Sequence, residues 1–189
     1  MWWHEQRMIA GRLARAAAIL AAAGLLAGCF QPLYGQMSAT GRPALGESLR
    51  GVDVIQIPAA SGTPEARLAV EVRNALIFDM TGGAGPPVNP THRLLLQITT
   101  TRQQVIVDIQ TARPDLENYG INAVYSLIEV VSGRVVITGQ TFSRVSFDIP
   151  GQEQRFARAR GLRDAENRAA KVIADNIKSR LASYFVAGT

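Results

Sequence analysis

The chain has 189 residues, one cysteine, two histidines and a formal net charge of +5. A lone cysteine has no internal disulfide partner, and no Cys, His and carboxylate set shows metal-ligand spacing. The modest charge and 6% aromatic content exclude the basic, base-stacking surface of a nucleic-acid binder.

Residues 1–28 read as a targeting segment. Arg7, Arg12 and Arg15 make a positive n-region, and Ala16 to Ala27 runs without a polar side chain. This run is shorter than the about 20 apolar residues that cross a bilayer, which argues against a membrane helix. Met8 offers as good a start as Met1. Leu26-Ala27-Gly28-Cys29 resembles the lipobox of bacterial lipoproteins. There a thiol accepts the acyl group, small residues fill the peptidase cleft, and the chain is cut just before the cysteine. Cleavage is therefore expected between Gly28 and Cys29, with lipid on Cys29. The alternatives are a buried apolar cysteine or half of an intermolecular disulfide. Phe30, where inner-membrane retention usually shows Asp, implies by the same resemblance an outer-membrane protein facing the periplasm. That resemblance also implies three acyl chains, enough to anchor stably where one binds only marginally.

The rest divides into a lipid-anchored tether, residues 29–50, and one periplasmic domain, residues 51–189. The tether is rich in Gly, Pro, Ser and Thr and has no periodicity. Phe30, Pro32, Leu33 and Tyr34 form a stretch too apolar for a pure spacer, so they are expected to dock on the domain or on a partner. Val52 to Ile57, bounded by Gly51 and Pro58, reads as a short first strand. Thr63 then caps a helix with Pro64 at its first position and Glu65 at the positive end of the dipole. Leu68, Val72, Ala75, Leu76 and Asp79 follow at helical spacing, until TGGAGPPVNP ends the helix.

Three longer strands come next. In residues 92–107, Leu94, Leu96 and Ile98 alternate with polar neighbours, and the parity changes after Gln103-Gln104, which predicts a bulge. IQTARPDLENYG reads as a loop, and INAVYSLIEVV as the next strand. Ser132-Gly133 marks a tight hairpin into RVVITGQTFSRVSFDI, where Gly139 predicts a bend or a close backbone approach. From Gln152 to Val186 the period is helical, with Phe156, Ala159, Leu162, Ala169, Ile173, Ile177, Leu181 and Tyr184 on one stripe. The order β-α-β-β-β-α predicts an α+β fold: a four-stranded, mostly antiparallel sheet with two helices on one face.

Catalytic parts are missing. His4 falls in the targeting segment, and His92 stands at a strand entry without a partner in sequence. Cys29 is committed to lipid, and TGGAG lacks the frame of a phosphate loop. The expectation is a non-enzyme with no metal and no cofactor beyond the covalent lipid.

Cys29-Phe30-Gln31-Pro32-Leu33-Tyr34-Gly35 resembles the start of the lipopolysaccharide-assembly lipoproteins of the LptE group. Many members begin Cys-Gly-Phe-x-Pro-Leu-Tyr-Gly, and here the glycine after the cysteine is absent. The resemblance extends through Val72-Arg73-Asn74-Ala75-Leu76, the Ser-Gly hairpin and the closing helix. It implies a subunit that supports and plugs a large outer-membrane β-barrel of the LptD type and binds lipopolysaccharide on its way to the surface. The family is thought to use basic residues near the loop between the second and third strands and on the fourth strand. Arg113 and Arg144 occupy those regions here, with a solvated surface arginine as the plain alternative for each. The alternative function is an outer-membrane lipoprotein that regulates cell-wall synthesis or another barrel-assembly complex.

Overall fold

The computed structural model describes residues 44–106, 114–148 and 155–188. All of them belong to one compact unit, Pro43–Thr189. Its elements are α1 (Leu45–Arg50), β1 (Val52–Val54), α2 (Pro64–Thr81), β2 (His92–Ile106), β3 (Pro114–Glu129), β4 (Val135–Asp148) and α3 (Arg155–Ala187). The strands form one open sheet in the order β1-β2-β3-β4. β1 runs parallel to β2, and the other pairs are antiparallel. A parallel pair needs a crossover, and α2 supplies it. The α+β architecture expected from the sequence is the one observed, with α1 as an added third helix.

Local chemistry sets the boundaries of α2. The Thr63 hydroxyl accepts from the Ala66 amide at 3.2 Å, Pro64 stands at the first turn, and Gly82 closes the helix in the left-handed conformation at φ 68°. Leu68, Val72, Leu76 and Met80 form its buried face. Along the sheet, even residues of β2 and odd residues of β3 and β4 point toward the helices. Leu94 and Leu96, Tyr119 through Leu127 at every second position, and Ile137 and Phe147 are all buried. The 33 residues of α3, about 50 Å at 1.5 Å per residue, lie along this layer. Ala165, Ala169, Ala170 and Ala174 are buried, so α3 approaches its neighbours closely, while Ile173, Ile177 and Leu181 fill the space between. Truncating a fully enclosed leucine such as Leu76 in this core costs about 3 kcal/mol.

Several differences from the sequence reading have physical causes. Leu45–Arg50 is helical, one short element before the boundary expected at residue 51. Leu45 and Leu49, four apart, are both buried, but six residues are too few to display a period. β1 stops at Val54, three residues short of Ile57; the Ile55 amide still donates to the Leu94 carbonyl at 3.0 Å, and pairing ends there. β3 begins at Pro114, so residues 114–120 are strand and not loop. They are paired on both sides, to β2 and from residue 116 onward to β4, and this pairing overrides the local turn chemistry. Phe156 is 83% exposed and lies off the buried stripe of α3, which begins at Ala165.

Other expectations hold. The register between β2 and β3 shifts between Val105 and Ile106, close to the predicted bulge. The hairpin at Ser132-Gly133 is closed by the Gly133 amide on the Glu129 carbonyl at 2.9 Å and the Ser132 hydroxyl on Glu129 at 2.6 Å. At Gly139 the close approach is the ring of Tyr125, its partner in register.

Candidate functional site

The helices cover one face of the sheet; among the described residues no element packs on the other. Period-2 alternation sends Leu95, Gln97, Thr99, Thr101 and Gln103 of β2 to that face, with Asn118, Gly120, Asn122, Val124 and Ser126 of β3. β4 adds Thr138, Gln140, Phe142, Arg144 and Ser146. Amides and hydroxyls dominate, and Leu95, Val124 and Phe142 are its large exposed apolar side chains. Arg144 is exposed and stands directly across from Gly120. Thr101 leans over Gly120 on the other side, leaving no room for a β-carbon there. The neighbouring Ser146 hydroxyl is already engaged, donating to Asn118 Oδ1 at 2.6 Å. Among the described residues Arg144 makes no ion pair. Its guanidinium is therefore available to an external anion, for which the planar fork suits phosphate or carboxylate.

Three arginines at the helix–sheet layer are engaged by buried carboxylates. Glu166 of α3 is buried and takes a hydrogen bond from Arg67 of α2. Arg102 of β2 reaches toward its second oxygen at 3.8 Å and lies 5.7 Å above the Tyr119 ring. Burial of Tyr119, with the Glu166 charge second, pushes its hydroxyl up to about 12. Glu117 of β3, also buried, pairs with Arg158 of α3 at 3.0 Å. These pairs tie both long helices to each other and to the sheet, so their arginines are partners of the fold. His92 contacts Thr91 at 2.9 Å and meets Phe185 edge to face at 5.2 Å, and burial holds its pKa below the ordinary value. No nucleophile, base and orienting group converge around it among the described residues.

Of the residues singled out from the sequence, Arg144 is on the uncovered face. Arg113, Gly28, Cys29, Phe30, Pro32, Leu33 and Tyr34 lie outside the described residues. The Arg67–Glu166–Arg102 layer was missed in the sequence reading. Its signal was present: Glu166 stands four residues after Leu162, a carboxylate in register with the apolar stripe of the closing helix.

Residues 52–181 match the family model LptE, described as lipopolysaccharide-assembly. No curated protein matches the chain. Among solved structures, a lipoprotein from Caulobacter crescentus aligns with a TM-score of 0.57 at 18% identity, covering 77% of this chain and 97% of that one. The rare lipoprotein B from Shewanella oneidensis aligns with a TM-score of 0.50 at 14% identity, covering 71% and 98%. At these identities the structures speak for the fold, while the family match spans more than half of the sequence. The chain belongs to the LptE family, the outer-membrane lipoproteins of lipopolysaccharide assembly.

Proposed function

We propose that the protein is the non-catalytic lipoprotein subunit of an outer-membrane lipopolysaccharide translocon. Cys29 carries the lipid that holds it to the periplasmic face of the outer membrane, after cleavage at Gly28. Its protein partner is an LptD-type β-barrel, which it supports and plugs, and its ligand is lipopolysaccharide. Phe30, Pro32, Leu33 and Tyr34 dock where the anchor meets the fold or the barrel. Arg144, and Arg113 in the segment between β2 and β3, contact anionic groups of the lipopolysaccharide.

The family match across residues 52–181 carries this reading. Two physical features support it. A barrel lumen is polar and wet, and the uncovered sheet face presents mostly uncharged hydrogen-bonding side chains. The guanidinium of Arg144, without an ion pair among the described residues, suits a phosphorylated sugar.

The test is a detergent pull-down of the tagged, acylated protein from its native outer membrane, with partners identified by mass. An LptD-type barrel recovered in about one-to-one ratio supports the reading. Recovery of cell-wall enzymes, or of no barrel by an acylated and abundant bait, overturns it.

A further inference from the structure

We propose that the end of the domain where the chain enters seats on the phospholipid leaflet, with Val88 and Val131, on two separate turns, dipping into the lipid. This rests on the reading of Cys29 as the lipid anchor, and it goes beyond that reading by assigning which end of the domain faces the membrane.

Four segments are stitched together at this end of the sheet. The Gly51 carbonyl, between α1 and β1, accepts from the Thr91 amide at 2.9 Å and the His92 amide at 3.3 Å, where β2 begins. The Thr91 carbonyl accepts from the Val130 amide at 2.9 Å, which ties in the β3–β4 hairpin. The His92 ring meets Phe185 at 5.2 Å, which ties in the end of α3. α1 has six residues and is about 9 Å long, so the described chain starts within about 10 Å of Gly51.

Exposed apolar side chains gather on these segments. Val88 stands three residues before Thr91, and Val131 follows Val130 in the hairpin. Both are 94% exposed, more than any other large apolar side chain described. Val135 at the start of β4 and Val186 at the end of α3 are 52% and 53% exposed. A side chain at 94% exposure touches almost nothing of its own fold, so packing does not account for it.

Their arrangement argues for lipid as the occupant. The valines stand on separate turns beside Asn89, Ser132 and Gly133, a dispersed set unlike the packed, aromatic-filled pocket of a protein hot spot. A lipid surface asks for no pocket and admits several tips at once. Chain length points the same way. The 15 residues from Cys29 to Ala44 span about 50 Å at full extension, and the far end of β2, at Ile106, lies about 45 Å beyond His92. The anchor therefore reaches the near end with slack, and the far end only with its tether almost taut.

Formal charges at this end cancel: Arg50 with Glu47 on α1, Arg93 with Asp53 in register, and Arg134 with Glu129 on the hairpin. Attraction to anionic headgroups is therefore weak, and the contact rests on the apolar tips. A few valines do not hold the chain to a membrane; they orient a domain that the lipid already holds.

The experiment uses the full-length protein, its acylation verified by mass, in vesicles of phosphatidylethanolamine and phosphatidylglycerol that contain no barrel and no lipopolysaccharide. Val88→Cys, Val131→Cys or Phe156→Cys carries a polarity-sensitive dye, Cys29 being blocked by its lipid. Phe156 serves as the far-end control, since its helix turn pairs through Arg158 with Glu117, which lies opposite Gln104. Phospholipids spin-labelled on the acyl chain quench a dye that enters the leaflet. The expected result is severalfold stronger quenching at Val88 and Val131 than at Phe156, unchanged by raised salt. Equal quenching at all three positions, or quenching at Phe156 alone, would overturn the proposed seating. Quenching that salt abolishes would overturn it in favour of headgroup charge. Dyes at Val88 and Val131 that stay in water until an LptD-type barrel is added would overturn it and mark this end as a protein interface. A chain without lipid removes the anchor reading and this one with it, while the pull-down above decides separately whether the barrel partnership stands.

Discussion

The ion pair between Arg67 of α2 and Glu166 of α3 is buried on its acidic side only: the glutamate side chain is 1% exposed and the arginine side chain 39%. The two halves are therefore unequal in what their loss leaves behind. Removing Arg67 strands a buried carboxylate whose other cation, Arg102, is 3.8 Å away. Removing Glu166 lets two half-exposed guanidinium groups return to water. Arg67→Ala is expected to lower the free energy of unfolding by about 3 kcal/mol or more, and Glu166→Leu by clearly less. The double replacement Arg67→Met with Glu166→Leu is expected within about 1 kcal/mol of the parent, because no charge is left unpaired. Urea unfolding of the three variants checks this; a Glu166→Leu loss as large as that of Arg67→Ala contradicts it.

The same layer gives an alkaline signature. The Tyr119 hydroxyl is pushed up to about 12, first by burial and then by the Glu166 charge. The folded chain keeps this proton over a pH range where the unfolded chain, with an ordinary pKa of about 10, has released it. The stabilisation is present in full below about pH 10 and is lost as pH rises from there through about 12. Tyr119→Phe removes this dependence. A plot of unfolding free energy against pH should be flatter for the variant across that window, and an unchanged slope would show that another group sets it.

Gly139 and Tyr125 make a prediction about packing. A β-carbon at Gly139 would fall 2.5 Å from the Tyr125 hydroxyl oxygen and 2.6 Å from its ring carbon Cζ. The ring is buried, so its retreat disturbs the layer between sheet and helices. Gly139→Ala is expected to cost about 1–3 kcal/mol. In a Tyr125→Ala background the same substitution should cost little, since the obstructing atoms are gone. A double-mutant cycle measures the coupling directly; additive losses would mean that the ring is not the obstacle.

Signals confined to one element were legible in the sequence. The Thr63 cap, Pro64 and Gly82 bound α2 by chemistry within a few residues, and the alternation of Leu94 and Leu96 identified their buried face. What escaped depends on residues distant in the chain. The first half of β3 carries proline, aspartate and glycine, and it is a strand because β2 and β4 pair with it. Phe156 fits the helical period, yet the buried stripe of its helix begins only at Ala165. Arg144 could be named as a strand arginine, but its position opposite Gly120 follows from cross-strand register. That Leu95, Val124 and Phe142 share the uncovered face escaped for the same reason, since they are spread over three strands.

The lipid assigned to Cys29 makes the last prediction. Each buried methylene contributes about 0.8 kcal/mol of membrane affinity, so three acyl chains hold firmly without any protein contact. Cys29→Ala, exported from a non-lipoprotein signal so that cleavage does not depend on the thiol, should incorporate no labelled palmitate. It should also lose the membrane attachment that survives an alkaline carbonate wash. A barrel partner, if bound, would still retain part of the unacylated protein under mild lysis, and this fraction should fall when the barrel is depleted. Labelling, washing and depletion thus separate the two holds on the chain. Palmitate incorporation into the Cys29→Ala variant would place the lipid elsewhere and remove the anchor reading.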